Sequence, residues 1–283
     1  MAEASSSPTA LRILLGAHLR RLREAKGISP HEAAQAIRAT DSKISRMELG
    51  RSAVREIDIV DLLALYGVTD PAERDQVLEL AVQSNQPGWW HRYNDLLPDW
   101  VQSYIGLEQA AQSIRTYESQ FIPGLLQTEG YASAVFALGD LDAAEMDRRV
   151  TLRKERQRRF LEGDLWLWAI IDEAALRRTV GDAEVMRDQL GYLLEASERP
   201  NLTLQVTPFD SAGHAALSGF SILRFGDPDL QDIVFVEHLT SALYLDKRAD
   251  VDSYLLAMER LAVVSKPPPE SAGLIRQIRE RKS

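Results

Sequence analysis

A chain of 283 residues has room for two domains of ordinary size, and its 45% hydrophobic and 27% charged composition is that of a globular protein. No apolar run approaches the roughly 20 residues that cross a bilayer, Met1 to Pro8 lacks the layout of a secretory signal, and the absence of cysteine excludes disulfides, thiolate chemistry and cysteine-based zinc sites, so a cytoplasmic setting is expected. The net charge of −9 is uneven: residues 1–55 carry ten Lys/Arg against five Asp/Glu (+5) and the remainder 23 against 37 (−14), which, unless it is ordinary scatter of surface charge, suggests a basic nucleic-acid-binding module on an acidic body that phosphates repel.

Residues 9–26 read as a helix, with Thr9 as N-cap, Leu15, Leu19 and Leu22 on one face, and Gly27 as the stop. Ser29-Pro30 opens a short helix that runs through Ile37, and Thr40 or Asp41 caps a third that ends at Gly50. A fourth spans about Glu56 to Tyr66 before Gly67, and Thr69-Asp70-Pro71 caps a fifth that reaches about Ser84. Five short helices in succession make a compact all-α unit.

Asn85–Pro98 breaks the helical period with Pro87, Gly88, Trp89, Trp90 and Pro98, and reads as a junction packed by its aromatics. Helical spacing resumes at Asp99–Ser119, Glu129–Leu138 and Leu141–Leu161. Leu165–Ile171, Leu202–Thr207, Gly219–Phe225, Ile233–Glu237 and Ala242–Leu245 are rich in aromatic and β-branched residues and read as strands. Helices at Asp182–Glu198 and Arg248–Ser265 separate or follow them. Lys266-Pro267-Pro268-Pro269 then spaces off a basic tail helix, Ser271–Lys282, whose stripe of Leu274, Ile275 and Ile278 either docks on the body or a second subunit or stays solvated. The domains expected are a helix-turn-helix domain at 1–84, a tryptophan-containing junction at 85–98, an α+β domain at 99–265, and the spacer and tail at 266–283.

Ser29–Gly50 has the layout of a helix-turn-helix: a short helix with small Ala33 and Ala34 where the next helix crosses, a tight turn, and a second short helix. On a helical wheel for Asp41–Gly50, Ile44, Met47 and Glu48 share one side, with Ile44 and Met47 set to pack on Leu19, Leu22 and Ile37. Ser42, Ser45, Arg46 and Leu49 point the other way, with Lys43 at the edge. Arginine for guanine, serine for varied acceptors and leucine for a thymine methyl are side chains that base edges accept, although such a face on one short helix also suits plain solvent. Phosphates would be held by helix N-terminal amides and by Ser29, His31, Arg51 and Arg55.

Ser29, Ala33-Ala34, Thr40, Ser42, Ile44-Ser45, Glu48 and Gly50 resemble the motif of Cro/CI-type (Xre family) helix-turn-helix regulators over residues 12–66. The resemblance implies a lambda-repressor-like five-helix domain, a buried structural pair of Arg23 with Glu48, and base contacts from Asp41, Ser42, Lys43 and Arg46. Three residues depart from the motif. Pro30 replaces a glutamine that touches phosphate, with His31 as a possible substitute; Arg38 stands where the turn often has glycine; and Asp41 at the mouth of the helix repels phosphate unless it caps the helix or accepts from cytosine.

Gly88-Trp89-Trp90, Glu108, the stretch from Phe121 to Thr128, Tyr131-Ala132, Arg153, Arg156-Gln157, the run from Asp172 to Arg178 and Gln189-Leu190 are similar to the actinobacterial WhiJ-like regulators. That resemblance implies an antitoxin-like carboxy-terminal domain that binds a small partner protein encoded nearby. The symmetry of the Xre family implies a homodimer on a double-stranded DNA operator, of repressor type, with half-sites about one turn apart.

The residues of the second part, read by themselves, say less. Phe121–Thr128 suits a tight turn with Thr128 capping the next helix. Trp166 and Trp168, two apart, share one face of a strand and serve either as core or as a ligand or partner pocket. Asp172 and Glu173 suit the start of a helix better than catalysis. Glu237-His238 lacks an accompanying nucleophile or phosphate loop, Gly213-His214 reads as loop, and the five histidines show no metal spacing. The expectation is therefore an α+β chain that is not an enzyme, with no cofactor and no metal: a five-helix all-α domain followed by a mixed α/β domain with a small sheet.

Overall fold

The computed structural model describes residues 7–139, 141–211, 218–227 and 230–282, which form two compact units. The first comprises the described residues of Met1–Arg92, Val101–Ala110 and Phe225–Gln231, and the second those of Tyr93–Trp100, Ala111–Arg224 and Asp232–Ser283. The chain is α+β, with a helical region first and a mixed six-stranded sheet after it.

The first unit is built on helices α1 (Pro8–Ala25), α2 (Pro30–Ala36), α3 (Asp41–Glu48), α4 (Glu56–Leu65) and α5 (Pro71–Ser84). Local chemistry sets their ends. Ser29 and Glu32 form a reciprocal capping box on α2, Thr40 Oγ1 accepts from the Lys43 amide at α3, and Asp70 accepts from the Ala72 and Glu73 amides at α5. Leu15, Leu19, Ala33, Ala34, Ile37, Ile44, Met47, Ile59, Leu62 and Leu63 are all buried in one core, each full burial of a large apolar side chain contributing about 1.5–3 kcal/mol. The end of α6 (Asp99–Ala110) joins this unit, where the Ser7 hydroxyl donates to the Gly106 carbonyl at 2.6 Å.

In the second unit the strand order is β3-β2-β1-β4-β5-β6, with β1 Ser113–Glu118, β2 Trp166–Asp172, β3 Leu202–Thr207, β4 Phe220–Arg224, β5 Ile233–Glu237 and β6 Ala242–Leu245. Strands β1, β2 and β3 are parallel, and β4, β5 and β6 continue from β1 as an antiparallel meander. Parallel neighbours require crossovers. Helices α7 (Glu129–Phe136) and α8 (Ala143–Glu162) lead from β1 to β2, and α9 (Glu173–Arg177) and α10 (Ala183–Ala196) from β2 to β3. Helix α11 (Arg248–Val264) covers one face of the sheet through Val251, Met258 and Leu261, which pack on Tyr117, Ile170, Phe220 and Val234.

Two segments differ from the sequence expectation. Helix α6 stops at Ala110, and 113–118, expected to be helical, is the central strand β1. The 4, 3, 4, 3 spacing of Trp100, Tyr104, Leu107, Ala111 and Ile114 carries a helical period past the true end of the helix, and Ser113–Glu118, with only Ile114 and Tyr117 as large apolar side chains three apart, lacks the strict two-residue alternation that would contradict it. The proline run is not a spacer: Pro268 starts α12 (Pro268–Glu280), which packs on α10 and β3 with Ile275 and Ile278 buried. Ser271 Oγ accepts from the Val206 amide at 2.9 Å, and the Lys266 amide donates to the Val206 carbonyl, so α12 satisfies the edge of β3. The junction 85–98 is likewise shared, residues 85–92 belonging to the first unit and 93–98 to the second.

Candidate nucleic-acid interface

Helices α2 and α3 are joined by a turn in which Arg38 has φ 52°, the left-handed region that L side chains seldom adopt. Ile44 and Met47 of α3 are buried against α1, while Asp41, Ser42, Ser45 and Arg46 are exposed. Leu49, read as outward, is half-buried. The Arg46 side chain makes no hydrogen bond or ion pair with any described residue, so its guanidinium presents its donors to solvent.

Close packing behind α3 depends on Gly16. A Cβ there would lie 2.5 Å from the Met47 carbonyl oxygen and 2.6 Å from that of Glu48, so any side chain would push α3 off α1. Gly50, at φ 64°, ends α3 and turns the chain against Ile13. The Arg23 Nε donates to Glu48 Oε1 at 2.6 Å and its Nη2 to Oε2 at 2.9 Å, while Nη1 holds the Ile28 carbonyl at 2.8 Å. The hydrogen bonds to Glu48 raise the Arg23 pKa despite burial. Both ends of the pair face inward, so neither is offered to DNA.

The basic residues of the face fall into two sets. Lys43 Nζ lies 2.6 Å from Asp58 Oδ2, and Arg55 donates to both Asp58 oxygens. Asp58 is buried at the start of α4; burial alone would raise its carboxyl, but the bonds from Arg55 and Lys43 outweigh that and hold it below the usual carboxylate range. Lys43 and Arg55 are therefore already partnered by one carboxylate. At the mouth of α3, His31 Nδ1 is 3.1 Å from Asp41 Oδ1 and its Nε2 is 3.0 Å from the Gln35 amide, which places an imidazole beside the acid that would repel phosphate. The Ser29 hydroxyl is engaged in the capping box. Arg51, just past α3, is exposed. Asp58 escaped the sequence reading because no motif marks an aspartate that meets a lysine 15 positions earlier.

In the second unit Trp166 is 51% exposed and Trp168 half-buried, on one face of β2 at its start. The strand register sets Arg115 of β1 opposite Trp168, with the guanidinium 5.3 Å from the ring centre, and a recess of about 400 Å³ opens there. Arg115 was not read as a site residue because its strand was read as helix. Asp172 caps α9 by accepting from the Ala174 amide, and Glu173, buried, holds Arg177 and the Phe209 amide. Both are structural. Glu237 ends β5, with burial raising its carboxyl, and the His238 amide donates to Ser241 in the turn that follows. Among the described residues no group of three His, Cys, Asp or Glu side chains could hold a metal ion, and no helix is long and apolar enough to cross a membrane. Gly213-His214 lies outside the described residues.

The stretch 121–128 is held by three glutamines. Gln127 donates to the Ile122 carbonyl, Gln157 to the carbonyls of Gly124 and Gln127, and Gln189 accepts from the Thr128 amide while donating to Leu126. These bonds satisfy the backbone of a buried turn, with Thr128 capping α7.

Comparison with known proteins finds two matches. A family described as "Helix-turn-helix domain" covers residues 14–77, and one described as "Domain of unknown function (DUF5753)" covers residues 101–277. No curated protein and no solved structure matches the chain.

Proposed function

The chain belongs to the DUF5753 family and carries a helix-turn-helix domain ahead of that region, and from this premise we propose that it is a sequence-specific transcriptional regulator of repressor type, acting as a homodimer on an operator in the cytoplasm. The helix-turn-helix domain itself points to DNA binding. The finer reading is supported above all by one observation: α3 buries Ile44 and Met47 while it exposes Ser42, Ser45 and Arg46 on the opposite side. A helix held by its apolar face and bare on its polar face is what the major groove requires.

In this reading Arg46 and Ser42 meet base edges, with Asp41 accepting from a base or orienting His31. Lys43 reaches a base edge, and Arg55 a phosphate, only at the cost of their bonds to Asp58, whereas Arg51 contacts phosphate directly. The second unit has no catalytic or cofactor-dependent role and controls the first, in the manner of the WhiJ-like regulators, by binding a small protein or ligand.

The engagement of Lys43 by Asp58 and the exposed carboxylate of Asp41 also favour a second reading, an antitoxin-like protein whose main partner is a protein and whose DNA affinity is weak. Titration of the purified chain onto its own promoter region at increasing salt separates the two. A regulator binds specifically, with affinity that falls steeply and linearly on a log-log salt plot. An absence of retardation even at low salt would overturn the regulator reading.

A further inference from the structure

The recess beside Trp166 lies at the amino-terminal ends of the parallel strands. Strand register builds it. Ser113 stands opposite Trp166, Arg115 opposite Trp168, and Trp168 opposite Thr203, so three neighbouring strands contribute side chains to one face. Asp164 stands on the rim. At about 400 Å³ the space is near the small end of the range for ligand pockets, about 300–1,000 Å³.

Three features of this recess are unexplained by folding alone. Arg115 is half-buried, yet its side chain makes no hydrogen bond or ion pair with any described residue and lies over the Trp168 ring. Burial, and after it the nearby Arg224, lower its pKa by more than the carboxylates of Asp232 and Glu259 raise it, as befits a guanidinium that has lost water without a directly bonded anion. Trp168 is locked in place, its indole N–H donating to Gln205 Oε1 at 2.9 Å, so the cation is held in one position. Trp166 leaves half of a large aromatic ring facing solvent at the mouth.

We propose that this recess binds a small planar monocarboxylate, whose carboxylate takes the Arg115 guanidinium and whose aromatic ring lies against Trp166. A carboxylate matches the fork of arginine donors and supplies the direct hydrogen-bonded partner that Asp232 and Glu259, which act on Arg115 only through their charge, do not. The neighbours select the charge class: Arg224 is already paired with Asp232 at 2.8 Å, and the carboxylate of Asp164 disfavours a phosphate or any other multiply charged anion. The size of the recess restricts the ligand to one or two fused rings.

Ligand binding does not rest on DNA binding, whereas its regulatory consequence rests on the reading above. The test is isothermal titration of the full-length protein, without DNA, with 2-naphthoate, 2-naphthamide and 2-naphthyl phosphate. The carboxylate binds, and the isosteric amide and the phosphate bind about ten-fold more weakly or less. Arg115→Gln reduces the carboxylate to the level of the amide, and Trp166→Ala weakens both. Absence of binding by 2-naphthoate at millimolar concentration, or equal affinity for acid and amide, overturns the proposal. Trp166 is exposed, so its variant folds even if Arg115→Gln does not, and unchanged affinity in Trp166→Ala also refutes the site. Repeating the promoter titration with 2-naphthoate separates the two ideas: binding of the acid by a protein that ignores DNA removes the regulator and leaves the site, and the converse removes only the site.

Discussion

Arg23 and Glu48 close the helix-turn-helix from behind, each with only 8% of its side chain exposed and joined by two hydrogen bonds. The pair ties the last turn of α1 to the last turn of α3, so the tilt of the exposed face depends on it. Removal of one partner leaves the other charge buried and unpaired, which costs about 3–5 kcal/mol, whereas a well-packed apolar pair of similar volume costs far less. Arg23→Ala or Glu48→Ala is therefore expected to destabilise by about 3 kcal/mol or more, and Arg23→Met combined with Glu48→Leu by less than either. Chemical denaturation of the four proteins checks the order. A double variant as unstable as the two losses added would show that the residues act independently.

If α3 enters the major groove as proposed, Arg46→Ala is expected to lower specific affinity by roughly 1–3 kcal/mol and to relax preference at one base position, the outcome for an exposed arginine that meets a base edge. Arg51→Ala is expected to weaken binding to all sequences and to flatten the salt slope by about one unit, as the loss of a phosphate contact does. Binding curves on cognate and point-mutated sites distinguish the two. An equal loss on every sequence for Arg46→Ala would make it a phosphate contact.

Asp58 fixes Lys43 and Arg55 to the start of α4, and its depressed carboxyl gives a definite pH dependence. A carboxyl held lower in the folded state than in the unfolded chain binds its proton more weakly there. Its stabilisation is thus complete above the unfolded value of about 4 and is lost as pH falls through the lower folded value. Asp58→Asn, which leaves two cations without their anion, is expected to cost about 2–3 kcal/mol at pH 7. The gap to the unsubstituted protein should begin to narrow below about pH 4 and close only as pH falls through the lower folded value. Melting curves at pH 7 and in steps downward from about pH 4 to strongly acidic solution measure it, and a gap that stays constant throughout would show that the ionised form is not what stabilises.

Arg38 has the left-handed conformation without the residue suited to it. That region costs an L residue roughly 1–2 kcal/mol, and glycine adopts it freely at the expense of about 0.5–1 kcal/mol of chain entropy. Arg38→Gly is accordingly expected to be neutral or stabilising by up to about 1 kcal/mol, and Arg38→Val to be clearly destabilising, since β-branched side chains fit there worst. Denaturation midpoints rank the three proteins; a loss of stability in Arg38→Gly would mean that the arginine side chain contributes more than the backbone strain costs.

The helical part was legible because its determinants are local: Ser29-Pro30, Thr40 and Asp70 announce caps within three residues, and the spacing of Ile44 and Met47 marks the inner side of α3. The meander β4 to β6 was legible for a similar reason, since runs such as Ile233–Glu237 are short and bounded by turns. What stayed hidden depends on partners far along the chain. Strand β1 carries the period of the helix before it and is identified only by pairing with β2 and β4, and with it went the position of Arg115 opposite Trp168. The meeting of Lys43 with Asp58, and the seating of α12 on β3, are likewise products of packing that no local spacing encodes.

At the opposite end of β1 from Arg115, burial pushes the Glu118 carboxyl up to about 8, with the nearby Glu237 adding to the effect and Arg153 opposing it. Glu237 is raised by burial in turn, and faces Arg156 and Arg153. A carboxyl that holds its proton up to pH 8 in the folded chain, but releases it near 4.5 when unfolded, makes folding less favourable as pH rises between those values. The loss begins near pH 4.5, grows through neutrality and levels off above about 8. Glu118→Gln keeps the shape and cannot ionise, so the variant is expected to match the natural protein near pH 5 and to exceed its melting temperature at pH 8. A difference that is the same at both values would mean that Glu118 is already ionised in the folded protein at neutral pH, with Arg153 outweighing burial.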